Sequence, residues 1–194
     1  PVAPLAARDR HGVVVYLGTL AKALAPGLRV GWVVAPSEAI DRMTRLRRLI
    51  DRQGDQVVEH ALADLIEDGT LQRHIRRMHR VYAARRTHLM AQVARVLPEL
   101  QVHPGRGGLA LWCTAPRVDV EAWAEQAPSH QVRLQTTRDF GFDATAPQGI
   151  RLGFSALNEA ELDEGLARLA RYVPYQGGSC TVVRRSDVVE KRFP

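Results

Sequence analysis

Of the 27 lysines and arginines in this chain of 194 residues only two are lysines, and one of them, Lys22, lies between two apolar runs. The stretch Val13 to Ala35, VVVYLGTLAKALAPGLRVGWVVA, reads as two short strands joined by a loop that carries Lys22, Pro26, Gly27 and Arg29. A guanidinium keeps its proton in a protein, whereas an amine removed from water can lose one and then attack a carbonyl. Lys22 is therefore a candidate Schiff-base residue; an ordinary solvated loop cation is the other reading. Thr19 adds a hydroxyl three residues earlier, and Arg29 adds a planar fork suited to bidentate phosphate contact. Pro26 and Gly27 let the backbone reverse between them. An amine, a hydroxyl and a guanidinium on one strand–turn–strand element suit a phosphorylated aldehyde, which is what pyridoxal phosphate is.

A second candidate lies in IRLGFS, Ile150 to Ser155, an apolar strand interrupted by Arg151. Burying an unpaired guanidinium is costly, so Arg151 needs a carboxylate from the chain or from a ligand. The remaining possibility is an edge-strand arginine facing solvent. The histidines His74, His79, His103 and His130 are scattered without metal-ligand spacing, so no metal site is expected.

YLGTLAKALAPGLRVGW resembles the cofactor-lysine segment of class I/II aminotransferases, the aspartate-aminotransferase fold. It is most similar to the version in MocR/GabR-type transcriptional regulators, where an aminotransferase-like domain follows a DNA-binding winged helix. The resemblance implies pyridoxal 5′-phosphate as cofactor, Lys22 as its covalent, catalytic partner, and Thr19 and Arg29 as phosphate ligands. It also implies that Arg151 grips the α-carboxylate of an amino-acid effector or substrate. Two departures are visible: Ala21 stands where the family usually has serine, and Gln135 to Arg138 stand where a Tyr-Pro-Gly-like turn is expected. The implied fold is α/β, the C-terminal portion of the aminotransferase fold, made of the end of the large domain plus the small domain. The chain starts at Pro1 without an initiator methionine, and is expected to be a fragment. The carboxylate for the pyridine nitrogen, the ring-stacking aromatic, the glycine-rich phosphate turn and any winged helix would then precede it. The expected function is an effector domain that senses an amino acid by imine exchange at Lys22. A true transaminase, with Lys22 as general base, and a cofactor-free dimerisation module are the alternatives. The family implies a homodimer.

Composition sets limits. A net charge of +6 permits nucleic-acid contact, but the arginines run along helical stretches and many alternate with acids, as on a solvated helix surface. Any DNA contact is expected through an upstream winged helix. Cys113 and Cys180 are too few and too far apart for a disulfide framework, and Cys113 sits in an apolar strand as a buried thiol would. No apolar run reaches membrane-spanning length and no signal peptide appears, so a cytoplasmic protein is expected.

The elements that must position these residues follow from periodicity. Gly12–Leu17 and Val30–Val34 have the continuous apolar character of strands covered on both faces. Ser37 reads as an N-cap for a helix marked by Ile40, Met43, Leu46 and Ile50. A second helix carries Val57, Val58, Ala61, Leu62, Leu65 and Ile66 on one face and ends at Gly69. Thr70 to Leu97 forms a long arginine-rich helix joining two lobes, with Leu71, Ile75, Met78, Tyr82, Leu89, Val93 and Val96 inward. Short strands are expected over residues 100–102, 109–113, 132–135 and 150–154, with a helix over 120–126. Gly105 to Gly108 reads as a tight turn rather than a phosphate cradle. Asn158 and Glu161 open a last helix with a capping box. The expected division is residues 1–80 as the end of the large domain, 81–172 as the small α/β domain and 173–194 as a flexible tail.

Overall fold

A computed structural model describes residues 3–141, 146–176 and 180–181. The chain divides into two compact units between Val81 and Tyr82.

The first unit opens on an antiparallel hairpin, β1 (Tyr16–Thr19) and β2 (Gly31–Val34), with Thr19 opposite Gly31 and Gly18 opposite Trp32. Three helices follow: α1 (Ser37–Ile50), α2 (Gln56–Glu67) and the first part of α3 (Thr70–Val96). Pro36, not Ser37, occupies the N-cap of α1, and Ser37 is already its first helical residue. Asp55 caps α2 by accepting from the Val58 amide at 3.2 Å. The unit's small core is Leu20, Leu62 and Leu71, packed with Leu24, Leu28, Val30, Val58, Leu65 and Ile75. The hairpin departs from the expectation of strands covered on both faces. Every residue of β2 is exposed, Leu17 is 70% exposed, and the α1 stripe lies open with Ile50 at 83%. Continuous apolar character records a need for cover, and among the described residues this chain supplies it only beneath Leu20 and Val30.

The second unit is a four-stranded sheet in the order β3 (Gln101–His103), β4 (Ala110–Thr114), β6 (Gly149–Gly153), β5 (Gln135–Thr136). Every neighbouring pair is antiparallel. Leu111 and Cys113 of β4 and Ile150 and Leu152 of β6 point into one core. That core also takes Leu89, Val93 and Leu97 from α3 and just beyond, Trp123 from α4 (Val120–Gln126), and Leu162, Leu166 and Leu169 from α6 (Glu159–Leu169). Asn158 and Glu161 form the reciprocal capping box at the start of α6, with bonds of 3.0 and 2.7 Å. A second box, Thr136 with Asp139, starts the short α5 (Thr137–Phe140), where a helix was not expected.

On α3, Arg73, Arg76, Arg77 and Arg80 are exposed. Arg85 and Arg86 instead hold loops: Arg85 Nη1 donates to Ser155 O at 2.7 Å, and Arg86 Nη2 donates to Gly105 O. Val173–Pro174, expected to begin a tail, forms β7 and pairs with β8 (Cys180–Thr181). Tyr175 donates its hydroxyl to Glu99 Oε1 at 2.5 Å. Residues 177–179 and 182–194 lie outside the described residues. Among the described residues no helix is long and apolar enough to cross a membrane.

Candidate cofactor loop and carboxylate anchor

Two glycines let the hairpin close tightly under the lysine loop. A Cβ at Gly18 would stand 2.1 Å from Trp32 Cε2, so the indole lies directly over the backbone there. A Cβ at Gly31 would stand 2.6 Å from Gly18 O. The ladder extends one step further, with Leu20 N–H donating to Val30 O at 3.1 Å. Leu20 is buried and ties the start of the loop to α2 and α3.

Above that anchor the chain makes a turn with Lys22 in the middle. Ala23 and Leu24 N–H both donate to Leu20 O, at 3.1 and 2.8 Å. Thr19 Oγ1 accepts from Ala21 N–H at 3.1 Å and donates to Val30 O at 3.3 Å. The hydroxyl thus closes the turn, and its long bond to Val30 is weak enough to be redirected to another acceptor. Pro26–Leu28 forms a single 3-10 turn, after which Arg29 adopts the left-handed region at φ 52° and ψ 27°. A residue with a Cβ costs about 1–2 kcal/mol in that conformation, so the loop holds Arg29 against its preference.

Thr19, Lys22 and Arg29 are all exposed. Among the described residues neither Lys22 nor Arg29 makes an ion pair or a side-chain hydrogen bond to the protein. Two cations without a protein counter-charge among the described residues, on one loop with a hydroxyl, are the residue types that suit a phosphate monoester and an aldehyde, so the residues present fit pyridoxal phosphate. The loop holds no carboxylate that would compete for the cations.

Arg151 belongs to the second unit. It is not on an edge strand, because β6 lies between β4 and β5 with Arg151 opposite both Trp112 and Gln135. Ile150 and Leu152 face the core while Arg151 faces away and is exposed, so alternation removes the burial penalty that made a partner obligatory. Its Nη1 donates to Gln135 Oε1 at 2.9 Å. Gln135 is neutral, so it orients the guanidinium without cancelling its charge. Gln135 is one of the residues that departs from the expected Tyr-Pro-Gly pattern, and here it has a definite structural task. On the same unit a cavity of about 350 Å³ is lined by His103, Trp112, Thr114, Thr137, Phe140 and Pro147 among others. Trp112 and Phe140 meet edge to face there, centroids 6.1 Å apart.

Cys113 is fully buried on β4, and desolvation pushes its thiol up to about 12, as expected of an inert core sulfur. His74, one of the scattered histidines, reaches the lysine loop: its Nε2 lies 3.1 Å from Ala23 O. The available signal was its place on α3, between Leu71 and Met78 on the inward stripe.

Residues 2–169 match the family model for aminotransferase class I and II. The aromatic-amino-acid aminotransferase 1 of Thermococcus litoralis is 29% identical over 89% of this chain and 42% of its own length. The probable rhizopine catabolism regulatory protein MocR of Rhizobium meliloti is 30% identical over 87% of this chain and 35% of its own. Among solved structures, the kynurenine aminotransferase of Pyrococcus horikoshii superposes with a TM-score of 0.77 at 29% identity, covering 85% of this chain and 41% of that one. LysN of Thermus thermophilus, an α-aminoadipate aminotransferase complexed with N-(5′-phosphopyridoxyl)-L-leucine, gives 0.78 at 25%, covering 86% and 43%. The chain thus spans about two fifths of the length of these relatives. With this mixed α/β architecture and that match along most of its length, the chain belongs to the class I and II aminotransferase family, whose cofactor is pyridoxal phosphate.

Proposed function

We propose that this chain forms part of the pyridoxal-phosphate-binding effector domain of a MocR/GabR-type transcriptional regulator. Lys22 is the covalent attachment point, Thr19 and Arg29 hold the phosphate, and Arg151 holds the carboxylate of an amino-acid effector. The observation that carries this reading is the loop itself, where Lys22 and Arg29 stand exposed and, among the described residues, without counter-charge on the segment whose first turn Thr19 closes. Bound there, pyridoxal phosphate would supply an aldehyde that captures amines covalently.

The chain's own residues do the rest. Lys22 Nζ offers the attacking amine, and Arg29 and Thr19 orient the phosphate end. An effector amine competes with Lys22 for the same attachment and brings its own carboxylate charge. Arg151, oriented by Gln135, keeps further N–H groups for a bidentate contact to the effector carboxylate. In a two-state regulator that change of charge and contact biases domain closure, and through it a separate winged-helix module on DNA. The likeness to MocR at 30% identity supports the regulator reading. A homodimer fits the family.

A second reading is a transaminase, favoured by the likeness to the Thermococcus litoralis enzyme and to solved aminotransferases. Lys22 would then move a proton from the substrate Cα to the cofactor C4′ carbon.

Both readings share one test, made clean by the presence of only two lysines. The protein is mixed with pyridoxal phosphate, reduced with borohydride and mapped by peptide mass. The pyridoxyl mass is expected on the Lys22 peptide and lost in Lys22→Ala; an adduct on Lys191 alone would defeat the assignment. In the full-length protein, operator affinity that changes with an amino acid, without keto-acid-dependent turnover, supports the regulator. Sustained turnover supports the enzyme.

A further inference from the structure

His74 lies just over one turn into α3, half-buried, with Nε2 3.1 Å from the carbonyl oxygen of Ala23, 51 residues earlier in the chain. Ala23 is the residue directly after Lys22. Its N–H closes the turn onto Leu20 O, while its carbonyl accepts no backbone hydrogen bond among the described residues. A carbonyl only accepts, so the proton between them must sit on Nε2. His74 can make this bond as the Nε2–H tautomer or as imidazolium. The turn around Lys22 is thus held by Leu20, buried against Leu62 and Leu71, by the Thr19 hydroxyl on Ala21 N–H, by Leu24 packed on the same core, and by the His74 bond to Ala23. Of these, the His74 bond fixes the residue directly after Lys22.

We propose that His74 is a positioning residue that pins the Lys22 turn to α3 and so presents Nζ to the cofactor aldehyde. The inference rests on Lys22 as the attachment point. It adds a side chain that touches neither cofactor nor substrate. Without the pin, the Ala23 carbonyl is released and the peptide after Lys22 is held only through its neighbours Leu20 and Leu24, so the amine samples orientations that cannot react. The loop most in need of fixed geometry lacks regular secondary structure, so a side chain from a rigid helix is the economical brace.

The test compares the wild-type chain with His74→Leu, which fills the space but cannot donate, and His74→Gln, whose amide can replace the Nε2–H donor. Two quantities are read. Amide hydrogen exchange of the peptide spanning residues 20–30, without ligand, should quicken about fivefold in His74→Leu, the opening expected on losing one neutral hydrogen bond. It should return towards wild type in His74→Gln. The rate of pyridoxal phosphate fixation on Lys22, trapped with borohydride, should fall by a similar factor in His74→Leu and recover in His74→Gln. Melting temperatures close to wild type in His74→Gln show that the fold persists. Exchange and fixation both unchanged in a folded His74→Leu chain overturn the proposal, as does slowed fixation without quicker exchange. A wild-type chain that shows no adduct on Lys22, while exchange still responds to His74, sinks the Lys22 assignment instead and leaves the brace as a loop contact only.

Discussion

Replacing Arg151 with lysine keeps the positive charge and removes the planar fork, which makes it the sharpest probe of the carboxylate anchor. One of the guanidinium's N–H groups is already committed to Gln135 Oε1 at 2.9 Å. Among the described residues the remaining ones have no partner, which leaves them for two parallel bonds to a carboxylate. A charge-assisted hydrogen bond contributes about 1.5–3 kcal/mol. Arg151 is exposed, so solvent screening places the loss near the lower end, about 1.5 kcal/mol, or roughly tenfold in affinity. Arg151→Ala, which also removes the charge, should lose more. The assay uses two stable covalent probes, N-(5′-phosphopyridoxyl)-L-leucine and its counterpart built on 3-methylbutylamine, which differ only by the carboxylate. Binding by full-length wild-type protein should favour the first, and that preference should shrink about tenfold in Arg151→Lys while the second probe binds almost unchanged. Equal losses for both probes would mean that Arg151 acts on the fold, and an unaltered preference would refute its contact with the carboxylate.

Arg29→Gly should remove the cost of the left-handed backbone, leaving stability equal to or up to about 1 kcal/mol above wild type, yet weaken pyridoxal phosphate far more than unphosphorylated pyridoxal; loss of stability, read by chemical denaturation, would contradict the strain argument. The Cys113 thiol, raised by burial, should resist alkylation at neutral pH until the second unit unfolds, as followed by mass mapping of its peptide; rapid labelling of the native chain would place it nearer the surface. The Val14 amide, then that of His11, holds the Asp9 carboxyl below its ordinary value of 3.8. A depressed folded value means that its contribution is present above the unfolded value and disappears as pH falls through the folded one, so Asp9→Asn should flatten the pH dependence of stability only below about pH 4.

Local signals in the sequence were read well where the physics is local. The Asn158–Glu161 capping box, the strand–turn–strand around Lys22 and the 27-residue α3 all depend on spacings of a few residues. Ser37 misled because a serine in the first turn looks like a cap, while Pro36 already occupies that position. Arg151 could not be assigned to a central strand from its own strand, since centrality depends on β5 arriving from residues 135–136. The inward place of His74 on α3 is legible from spacing, but its partner is not: it lies 51 residues away and is a backbone oxygen. The open faces of β2 and α1 show the limit of apolar periodicity, which marks a surface that must be covered without saying by what.

The hairpin that carries Lys22 has only two strands of four residues each, and its outer margins expose unpaired amides and carbonyls beside Leu17, Val33 and Val34. Such a ribbon is barely self-supporting in water, and a bare apolar margin recruits other strands. Isolated at high concentration, the chain should therefore be adhesive, and Lys22 sits on the loop between those two strands.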